Sequence, residues 1–180
     1  MRKLLFISGS LRKESYNSAL LKEAEKLLDD YLECSFLFYF DIPYMNQDIE
    51  FDDIPSIRRV RKEVEEADAI WIGTPEYNHS YPGVLKNLMD WLSRPIVAGD
   101  YNTSVIRGKK VAISSAAGSS AGSFARAKLR EMLQMFSCTL CKEETGIALG
   151  KRFSDSALVL TDEEMRTLNV ECRALLEMLD

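Results

Sequence analysis

Histidine is almost missing from this sequence, because His79 is the only one among 180 residues. Cys138 and Cys141 have the spacing of half a zinc site, but the chain offers neither a second such pair nor enough histidines to complete four ligands. A serine hydrolase likewise needs a histidine beside its nucleophile. We therefore expect neither a metal site nor a hydrolytic triad. We assign no catalytic role to His79, since the sequence places no carboxylate or nucleophile to orient it.

Long apolar runs and an excess of basic residues are also missing. No apolar stretch approaches the ~20 residues that span a bilayer, and the amino terminus shows no signal peptide. The formal charge of −5 argues against nucleic acid as a partner, since phosphate backbones demand a clustered positive surface. The basic residues at 58–62 are interspersed with valine and followed by glutamates, which is typical of a solvated helix face. We expect a cytoplasmic protein that binds neither membrane nor nucleic acid.

Cysteine is sparse, with four in the chain, and in a reducing cytosol we expect all four to be thiols. Cys138 and Cys141 also have the spacing of a redox pair, but such a pair has its first sulfur at a helix amino terminus. Here the pair follows a predicted helix and enters a predicted strand, where residues three apart face opposite sides. Structural thiols are the better interpretation.

What the sequence does have is a regular alternation of strand and helix patterns. Its 180 residues fit a single domain, 1–180, with enough interior for a real core. The predicted strands are 3–8, 35–39, 69–74, 109–115 and 139–148. The predicted helices are 18–32, 56–67, 82–92, 124–135 and 161–179, the last opened by a capping box at Thr161 and Glu164.

This alternation implies a parallel sheet covered on both faces, and five strands favour the flavodoxin-like order 2-1-3-4-5 in a three-layer α/β sandwich. In that order a ligand binds at the switch point between strands one and three. Polar loops at 9–18 and 74–82 follow those two strands, and a Gly/Ser-rich loop at 114–123 follows the neighbouring fourth strand. The convergence of these loops is the strongest physical indication of a binding site.

The first loop has the chemistry of an anion site, because it ends at a helix amino terminus, where free backbone donors and the helix dipole favour negative charge. It lacks the GxxxxGK[ST] and GxGxxG patterns, which argues against a P-loop and against Rossmann dinucleotide binding. A polar turn that merely caps the helix remains the alternative. The side-chain donors of this loop are Ser10, Arg12, Ser15, Asn17 and Ser18.

The second and third loops suit a planar ligand. Backbone groups held between Pro75 and Pro82 would meet the hydrogen-bonding edge of a ring, and Tyr77 would pack on it. The alternative is a surface loop whose aromatic side chains cover the sheet edge. The third loop has small residues that let the backbone approach a flat ligand closely, unless it is a plain connector.

Two of these segments resemble a known family. Residues 9–20, GSLRKESYNSAL, and 74–91, TPEYNHSYPGVLKNLMDW, together resemble the NAD(P)H-dependent FMN reductases of the flavodoxin-like superfamily, which include quinone, chromate and azo-dye reductases. Residues 114–133 resemble the third loop of that family, with alanine and serine in place of some glycines. The resemblance runs from the first strand to about residue 149.

The resemblance implies FMN as cofactor, NADPH or NADH as co-substrate, and a small-molecule acceptor such as a quinone, a free flavin, an azo compound or a metal oxyanion. It implies no acid or base side chain, because the flavin carries the chemistry. It also implies a homodimer or homotetramer, for which Trp91 would suit a subunit contact. The residues that it assigns to FMN are Ser10, Arg12, Ser15, Asn17 and Ser18 for the phosphate, Pro75, Glu76, Tyr77 and Asn78 for the ring edge, and Ser115, Ala117 and Gly118 for the other side of the ring.

Two alternatives to an enzyme stay open at this point. A flavodoxin-like electron carrier would use the same fold, although such carriers usually hold phosphate with a neutral Ser/Thr-rich loop, whereas the first loop here contains Arg12. A flavin-binding regulator without nicotinamide turnover would have the same sequence features. Consumption of NADPH with an added quinone distinguishes the enzyme from both.

Overall fold

Strands and helices alternate along the chain in the computed structural model, which describes residues 1–154 and 157–180. Single 3₁₀ turns lie at Gln47–Ile49, Tyr101–Thr103 and Gly150–Ser154. The strands are Arg2–Ser8 (β1), Leu32–Phe36 (β2), Ala69–Gly73 (β3), Lys110–Ala117 (β4), Thr139–Leu140 (β5) and Gly146–Ala148 (β6). The helices are Tyr16–Leu28 (α1), Pro55–Glu66 (α2), Gly83–Leu92 (α3), Ser123–Met135 (α4) and Asp162–Leu179 (α5).

The strands form a parallel sheet in the order β2-β1-β3-β4-β5, with β6 also beside β4. In the central register Leu5 pairs with Ile70, and Ile70 pairs with Val111. The predicted flavodoxin-like order is therefore confirmed. β2 is added on one side of β1, and β3 is added on the other side. The loops that follow β1 and β3 therefore lie side by side at the carboxyl edge of the sheet.

Two apolar layers enclose the sheet, because neighbouring residues of a strand face opposite sides. Leu4 and Phe6 of β1 pack with α1 and α5, whereas Leu5 and Ile7 pack with α2, α3 and α4. This gives the expected three layers. Each helix keeps a polar outer face, and across the residues described here none is both long and apolar enough to cross a bilayer.

The end of the first helix differs from the prediction. The pattern predicted a helix over 18–32 and a strand over 35–39, but α1 ends at Leu28 and β2 already begins at Leu32. Leu32 lies four residues after Leu28, so its spacing imitates another helical turn. Asp29 and Asp30 end the helix, since negative charge opposes the dipole at a helix carboxyl terminus.

The prediction of one continuous fifth strand over 139–148 is also wrong, because the structure has two short strands there. The first, β5, pairs with Lys110 and Val111, and the second, β6, pairs with residues 115–117 at the other end of β4. The intervening residues leave the ladder, and Glu144 there accepts hydrogen bonds from Arg126 and Arg130 of α4. This break places β6 directly beside the loop that follows β4.

Trp91 does not offer the subunit contact that the sequence suggested. Its side chain is 1% exposed within one chain, and its indole nitrogen donates to the Pro43 carbonyl oxygen at 2.8 Å. The long connection between β2 and α2 covers this face of α3, which the helical pattern alone does not reveal. The expectation that Trp91 becomes buried between subunits is wrong.

The pair of cysteines behaves as expected for strand residues. Cys141 is buried on the side of α1 and α5, whereas Cys138 packs on the opposite side, with α2, α3 and α4. Both are free thiols. Burial raises the pKa of Cys138 to about 11, so this residue is a poor source of the thiolate that redox exchange requires.

Candidate functional site

A cleft opens at the carboxyl edge of the sheet, where the loops after β1, β3 and β4 meet. Including the adjoining ends of α1, β4 and α4, we call these segments loop one (residues 9–18), loop two (74–82) and loop three (114–123). A fourth segment, which follows β6, closes one side of the cleft. The side chains and backbone that line it belong to Ser10, Arg12, Ser15, Tyr16, Asn17, Pro75, Glu76, Tyr77, Ala116, Ala117, Leu149 and Phe153.

Loop one presents hydroxyl groups and one cation at the amino terminus of α1. The Ser15 hydroxyl caps this helix by accepting from the Ser18 backbone nitrogen at 3.2 Å. The Ser10 hydroxyl accepts from the backbone nitrogen of Arg12 at 3.3 Å. The Arg12 guanidinium lies 4.7 Å from the centre of the Tyr16 ring. The 13-residue helix thus begins directly beside a cation and two hydroxyls, which together favour an anion.

Two residues predicted for the phosphate have their side chains engaged with the protein. The buried Asn17 amide donates to the Ala116 carbonyl oxygen at 2.9 Å and accepts from the Ala116 nitrogen at 2.8 Å. The Ser18 hydroxyl lies 2.8 Å from the Ser8 hydroxyl. Asn17 therefore joins loop one to the end of β4, and Ser18 joins α1 to β1.

Loop two is a tight hairpin. Tyr77 and Ser80 pair through two backbone hydrogen bonds of 2.9 and 3.0 Å. The two residues between them, Asn78 and His79, have φ angles of 52° and 56°, as in the type I′ turn that fits a two-residue hairpin. Asn78 therefore forms the tip of the turn, and Tyr77 stands beside the cleft with 55% of its side chain exposed.

Glu76 turns away from the cleft to cap α4. Its Oε2 accepts from the backbone nitrogens of Phe124 and Ala125, both at 3.0 Å, and its Oε1 accepts from the Ser120 hydroxyl at 2.6 Å. Partial burial raises its pKa, but the hydrogen bonds from Ser120, Ala125 and Phe124, with a smaller effect of His79, outweigh burial and hold the pKa below its ordinary value. Glu76 thus fixes loop two to loop three as an ionised carboxylate.

Replacing Glu76 by alanine is expected to lower the free energy of unfolding by about 1–2 kcal/mol, the usual cost of losing a helix cap. Because the pKa is lowered in the folded state, this stabilisation is present above the ordinary carboxyl pKa of 4.5 and is lost as the pH falls through the folded-state value. Urea denaturation at neutral and acidic pH measures both effects. Ser120→Ala keeps the two backbone bonds and should cost less. An equal loss in both variants would contradict the capping role.

Residues 118–122 read Gly-Ser-Ser-Ala-Gly, which matches the GxSxG pattern around the nucleophilic serine of many hydrolases. A hydrolase would need a base such as His79 beside Ser120. The Ser120 hydroxyl donates to Glu76, however, and the His79 ring stacks on Phe124 with 4.1 Å between ring centres. Among the described residues no hydrogen bond joins His79 to Ser120. Ser120 therefore serves to hold loop two against loop three, and its hydroxyl has no activating base beside it among residues 1–154 and 157–180.

Loop three forms the floor of the cleft. The Ser115 side chain is buried and donates to the Thr74 carbonyl oxygen at 2.5 Å, so it holds loop two in place and does not face the cleft. Ala116 and Ala117 line the cleft with small side chains. Gly118 follows at the rim, where a Cβ atom would lie 3.8 Å from the Phe153 ring.

Tyr16 and Phe153 are site residues that sequence reasoning missed. The Tyr16 hydroxyl donates to the carbonyl oxygens of Arg152 and Phe153 at 3.0 and 2.9 Å, and the two rings meet edge to face. Tyr16 was detectable, because it lies four residues before Leu20 on the apolar side of α1. Phe153 was not, since the segment 149–160 showed no clear pattern, and residues 155 and 156 lie outside the described part of the chain.

The arrangement suits a ligand with an anionic group at one end and a planar ring at the other. Loop one supplies the donors of a phosphate site, and the alanines of loop three leave the flat, unobstructed surface that a ring requires. Tyr77 and Phe153, each more than half exposed, flank this surface. FMN has this combination of a terminal phosphate and a planar ring.

Comparison with known proteins agrees with this chemistry. The family described as NADPH-dependent FMN reductase matches residues 2–149. An NAD(P)H-dependent FMN reductase of Pseudomonas aeruginosa is 38% identical over 172 residues, which cover 92% of this chain and 88% of that protein. An NAD(P)H:quinone oxidoreductase of Solanum tuberosum is 37% identical over 135 residues, which cover 72% of this chain and 66% of that protein.

A solved structure extends the likeness to the whole fold. The flavoenzyme NAD(P)H:acceptor oxidoreductase FerB of Paracoccus denitrificans aligns with 99% of this chain and 97% of its own, at a TM-score of 0.85 and 28% identity. The family match covers most of the sequence, and the Pseudomonas relative covers nearly all of it. The chain therefore belongs to the NADPH-dependent FMN reductase family.

Proposed function

We propose that this chain, an FMN- and NAD(P)H-dependent oxidoreductase by family, transfers reducing equivalents from NADPH or NADH to a quinone or to another flat acceptor of similar chemistry. The observation that carries the proposal is the open cleft at the switch point, where an anion-binding loop faces a floor of small residues. Free flavin, azo compounds and metal oxyanions are further acceptors that such a cleft would admit.

FMN, when bound, supplies the redox chemistry by accepting hydride from the nicotinamide and passing electrons to the acceptor. The residues of the chain bind and orient. Ser10, Arg12 and Ser15 hold the phosphate, while Asn17 and Ser18 keep that loop in its shape. The backbone of loop two, from Pro75 to Asn78, meets the ring edge, with Glu76 and Ser115 fixing that loop and Ala117 and Gly118 lying below the ring.

The open face of the cleft favours two substrates that bind in turn at one place. Tyr77 and Phe153 stand at its edges with 55% and 54% of their surface exposed, so neither closes it. Reducing nucleotide and acceptor would each need this face, which predicts a ping-pong mechanism. Initial rates with NADPH and a benzoquinone should then give parallel double-reciprocal lines. Undetectable NADPH consumption with FMN bound would instead favour the electron carrier or the regulator.

Arg12 provides a test of the phosphate site. Arg12→Ala should weaken FMN binding to the apoprotein by about 1.5–3 kcal/mol, the usual value of a hydrogen bond to a charged group. Lys13→Ala is the matched control, because Lys13 is the adjacent basic residue but lines a neighbouring depression with Lys22 and not the cleft. Titration calorimetry measures both affinities. Equal FMN affinity in Arg12→Ala and wild type would remove Arg12 from the site.

We also propose that the chain works as a homodimer or homotetramer. With Trp91 buried, the surface that supports this idea is the exposed apolar group formed by Phe51, Ile96 and Val97, each at least 50% exposed. Light scattering at micromolar protein should report at least twice the 20.5 kDa of one chain. Trp91→Phe should leave that mass unchanged. A monomer mass for the wild type would refute the proposal.

The cytoplasm is the compartment that we propose for this reaction. The four cysteines, Cys34, Cys138, Cys141 and Cys172, are all free in the fold, as expected in a reducing compartment. NADPH and NADH, which the reaction consumes, would be supplied there. Cell fractionation with an antibody against the chain tests this location, and recovery in a secreted fraction would contradict it.

A further inference from the structure

Glu171 is a carboxyl group in the interior that the proposed reaction does not use. It lies on α5, is fully buried, and its Oε2 accepts from the backbone nitrogen of Thr145 at 2.7 Å. Thr145, also fully buried, precedes β6 in the break between the two parts of the fifth strand. Over residues 1–154 and 157–180, neither the second oxygen of Glu171 nor the Thr145 hydroxyl has a hydrogen bond of good geometry, but the two groups lie close enough for the hydroxyl to lower the pKa of Glu171.

The complete burial of Glu171 favours a proton on its carboxyl group. An ionised carboxylate would bury its charge with one hydrogen bond in place of several, which is costly in an apolar interior. A neutral carboxylic acid needs fewer partners and adds a donor, which a hydroxyl close by is able to accept. Thr145 is the neighbouring residue with such a hydroxyl.

The surroundings of Glu171 support the neutral form. Burial is the largest influence and, with a smaller effect of the nearby Glu144 carboxylate, it raises the pKa of Glu171 to about 8; the hydrogen bonds from Thr145 and the charge of Arg126 act in the opposite direction. The thiols of Cys141 and Cys172 are the other titratable groups that face it, and their pKa values are also raised, chiefly by burial. Glu144 itself is paired with Arg126 and Arg130 of α4.

Thr145 connects this carboxyl group to the floor of the cleft. The Thr145 carbonyl oxygen accepts from the Ser115 nitrogen at 2.8 Å. The next three residues, Gly146–Ala148, form β6 and pair with residues 115–117, which include the floor alanines. One residue of α5 thus holds the peptide that determines where the end of β4 lies.

We propose that Glu171 is a positioning residue for the FMN site, whose protonated carboxyl group holds Thr145 and, through Thr145 and Ser115, fixes loop three beneath the flavin ring. That FMN is the ligand here rests on the proposed function, whereas the hydrogen bonds that link Glu171 to loop three are independent of it. Ionisation of Glu171 would place a charge in the apolar interior near the Glu144 carboxylate, and moving that charge toward water draws the carboxyl group away from Thr145 and disturbs the floor of the cleft.

The direction of the pH effect follows from the raised pKa. Between the ordinary value of 4.5 and about 8, the folded state keeps a proton that the unfolded state has released. Stability of the apoprotein therefore falls as the pH rises through this window, and it levels off above about pH 8. FMN affinity changes later, near pH 8, because only there does the folded protein lose the proton.

The test uses apoprotein and FMN alone, with binding followed by quenching of flavin fluorescence between about pH 6 and pH 10. Wild-type affinity should fall about tenfold across pH 8, since a displaced floor holds the flavin ring less tightly. Glu171→Gln should bind FMN with the same affinity at both ends of the range, because a neutral amide replaces the acid. Its melting temperature should also lack the wild-type decline between pH 5 and 8.

Glu177→Gln is the matched control, since Glu177 lies on the same helix with 69% of its side chain exposed and pairs only with Lys142 at the surface. This variant should keep the wild-type pH profile. If Glu171→Gln fails to fold, infrared spectra of the wild type decide the question. A protonated carboxyl band that disappears near pH 8 together with the loss of FMN affinity supports the proposal, and absence of that band at neutral pH overturns it.

The outcomes separate this inference from the proposed function. FMN binding that does not depend on pH in the wild type, or that depends on pH equally in Glu171→Gln, overturns the role of Glu171 and leaves the oxidoreductase in place. Failure to oxidise NADPH, combined with pH-dependent FMN binding that the glutamine variant lacks, overturns the proposed function and leaves the role of Glu171 in place.

Discussion

Replacing Asn17 by alanine should lower the free energy of unfolding by about 2–6 kcal/mol and weaken FMN binding with it. The Asn17 amide satisfies both the nitrogen and the carbonyl oxygen of Ala116, at 2.8 and 2.9 Å, in a buried position. Removing it leaves two buried backbone groups without partners, each costing about 1–3 kcal/mol. It also releases loop one from loop three, so the phosphate and ring halves of the site lose their fixed spacing. Urea denaturation and FMN titration measure the two losses.

Two further asparagine variants sharpen this test. Asn17→Asp keeps the acceptor for the Ala116 nitrogen but loses the donor and buries a charge, so it should also be destabilised. Asn102→Ala is the control, because Asn102 is exposed and bonds only to nearby Asp100, and its cost should stay within about 0.5 kcal/mol. Asn17→Ala with the stability of Asn102→Ala would show that the link between the loops is unimportant.

Gly122→Ala adds one methyl group and should be strongly destabilising, with an expected loss of about 3 kcal/mol or more in the free energy of unfolding. Gly122 lies where loop three enters α4, with a φ angle of 74°. An added Cβ would lie 1.8 Å from the Ser115 hydroxyl oxygen, which is held by the Thr74 carbonyl. The methyl group therefore displaces Ser115, and with it the contact between loops two and three. Thermal melting and FMN affinity should both fall.

Gly99→Ala separates the two causes of this effect. Gly99 has a similar φ angle of 83°, but open space surrounds the position of its Cβ. Gly99→Ala should therefore lose only the about 1–2 kcal/mol that alanine costs in the left-handed backbone conformation, because no atom collides with its methyl group. The difference between the two variants measures the collision with Ser115. Equal losses in both would contradict the tight packing of Gly122 on Ser115.

The fold followed from the sequence because its determinants are local and repetitive. Apolar strands such as β1 and β3 and amphipathic helices such as α4 alternate, and the capping box at Thr161 and Glu164 begins α5 as predicted. The predicted element boundaries were wrong where the local hydrophobic pattern conflicts with contacts between residues far apart in the sequence. Leu32 continues a helical spacing but pairs with Arg2 of β1, a contact that only the folded sheet provides.

The position of the cleft was also predictable, whereas the hydrogen-bond partners of single side chains were not. Three loops at strand ends converge in any sheet of this order. Asn17, however, bonds to a residue 99 positions away, and Glu76 caps a helix that begins 47 positions later. Such pairings depend on how the elements pack. Residues that local chemistry suggested as ligands thus serve to hold the loops together, and Phe153 enters the cleft from a segment without a recognisable pattern.

Anaerobic addition of NADPH to the purified protein with FMN bound tests the central claim most directly. We predict that one equivalent of NADPH, or of NADH, removes the visible absorbance of the bound flavin, and that a benzoquinone added afterwards restores it. In the reaction that we propose, both steps use the open face between Tyr77 and Phe153. A bound flavin whose absorbance neither nucleotide changes would contradict the assignment of this chain as an NAD(P)H-dependent oxidoreductase.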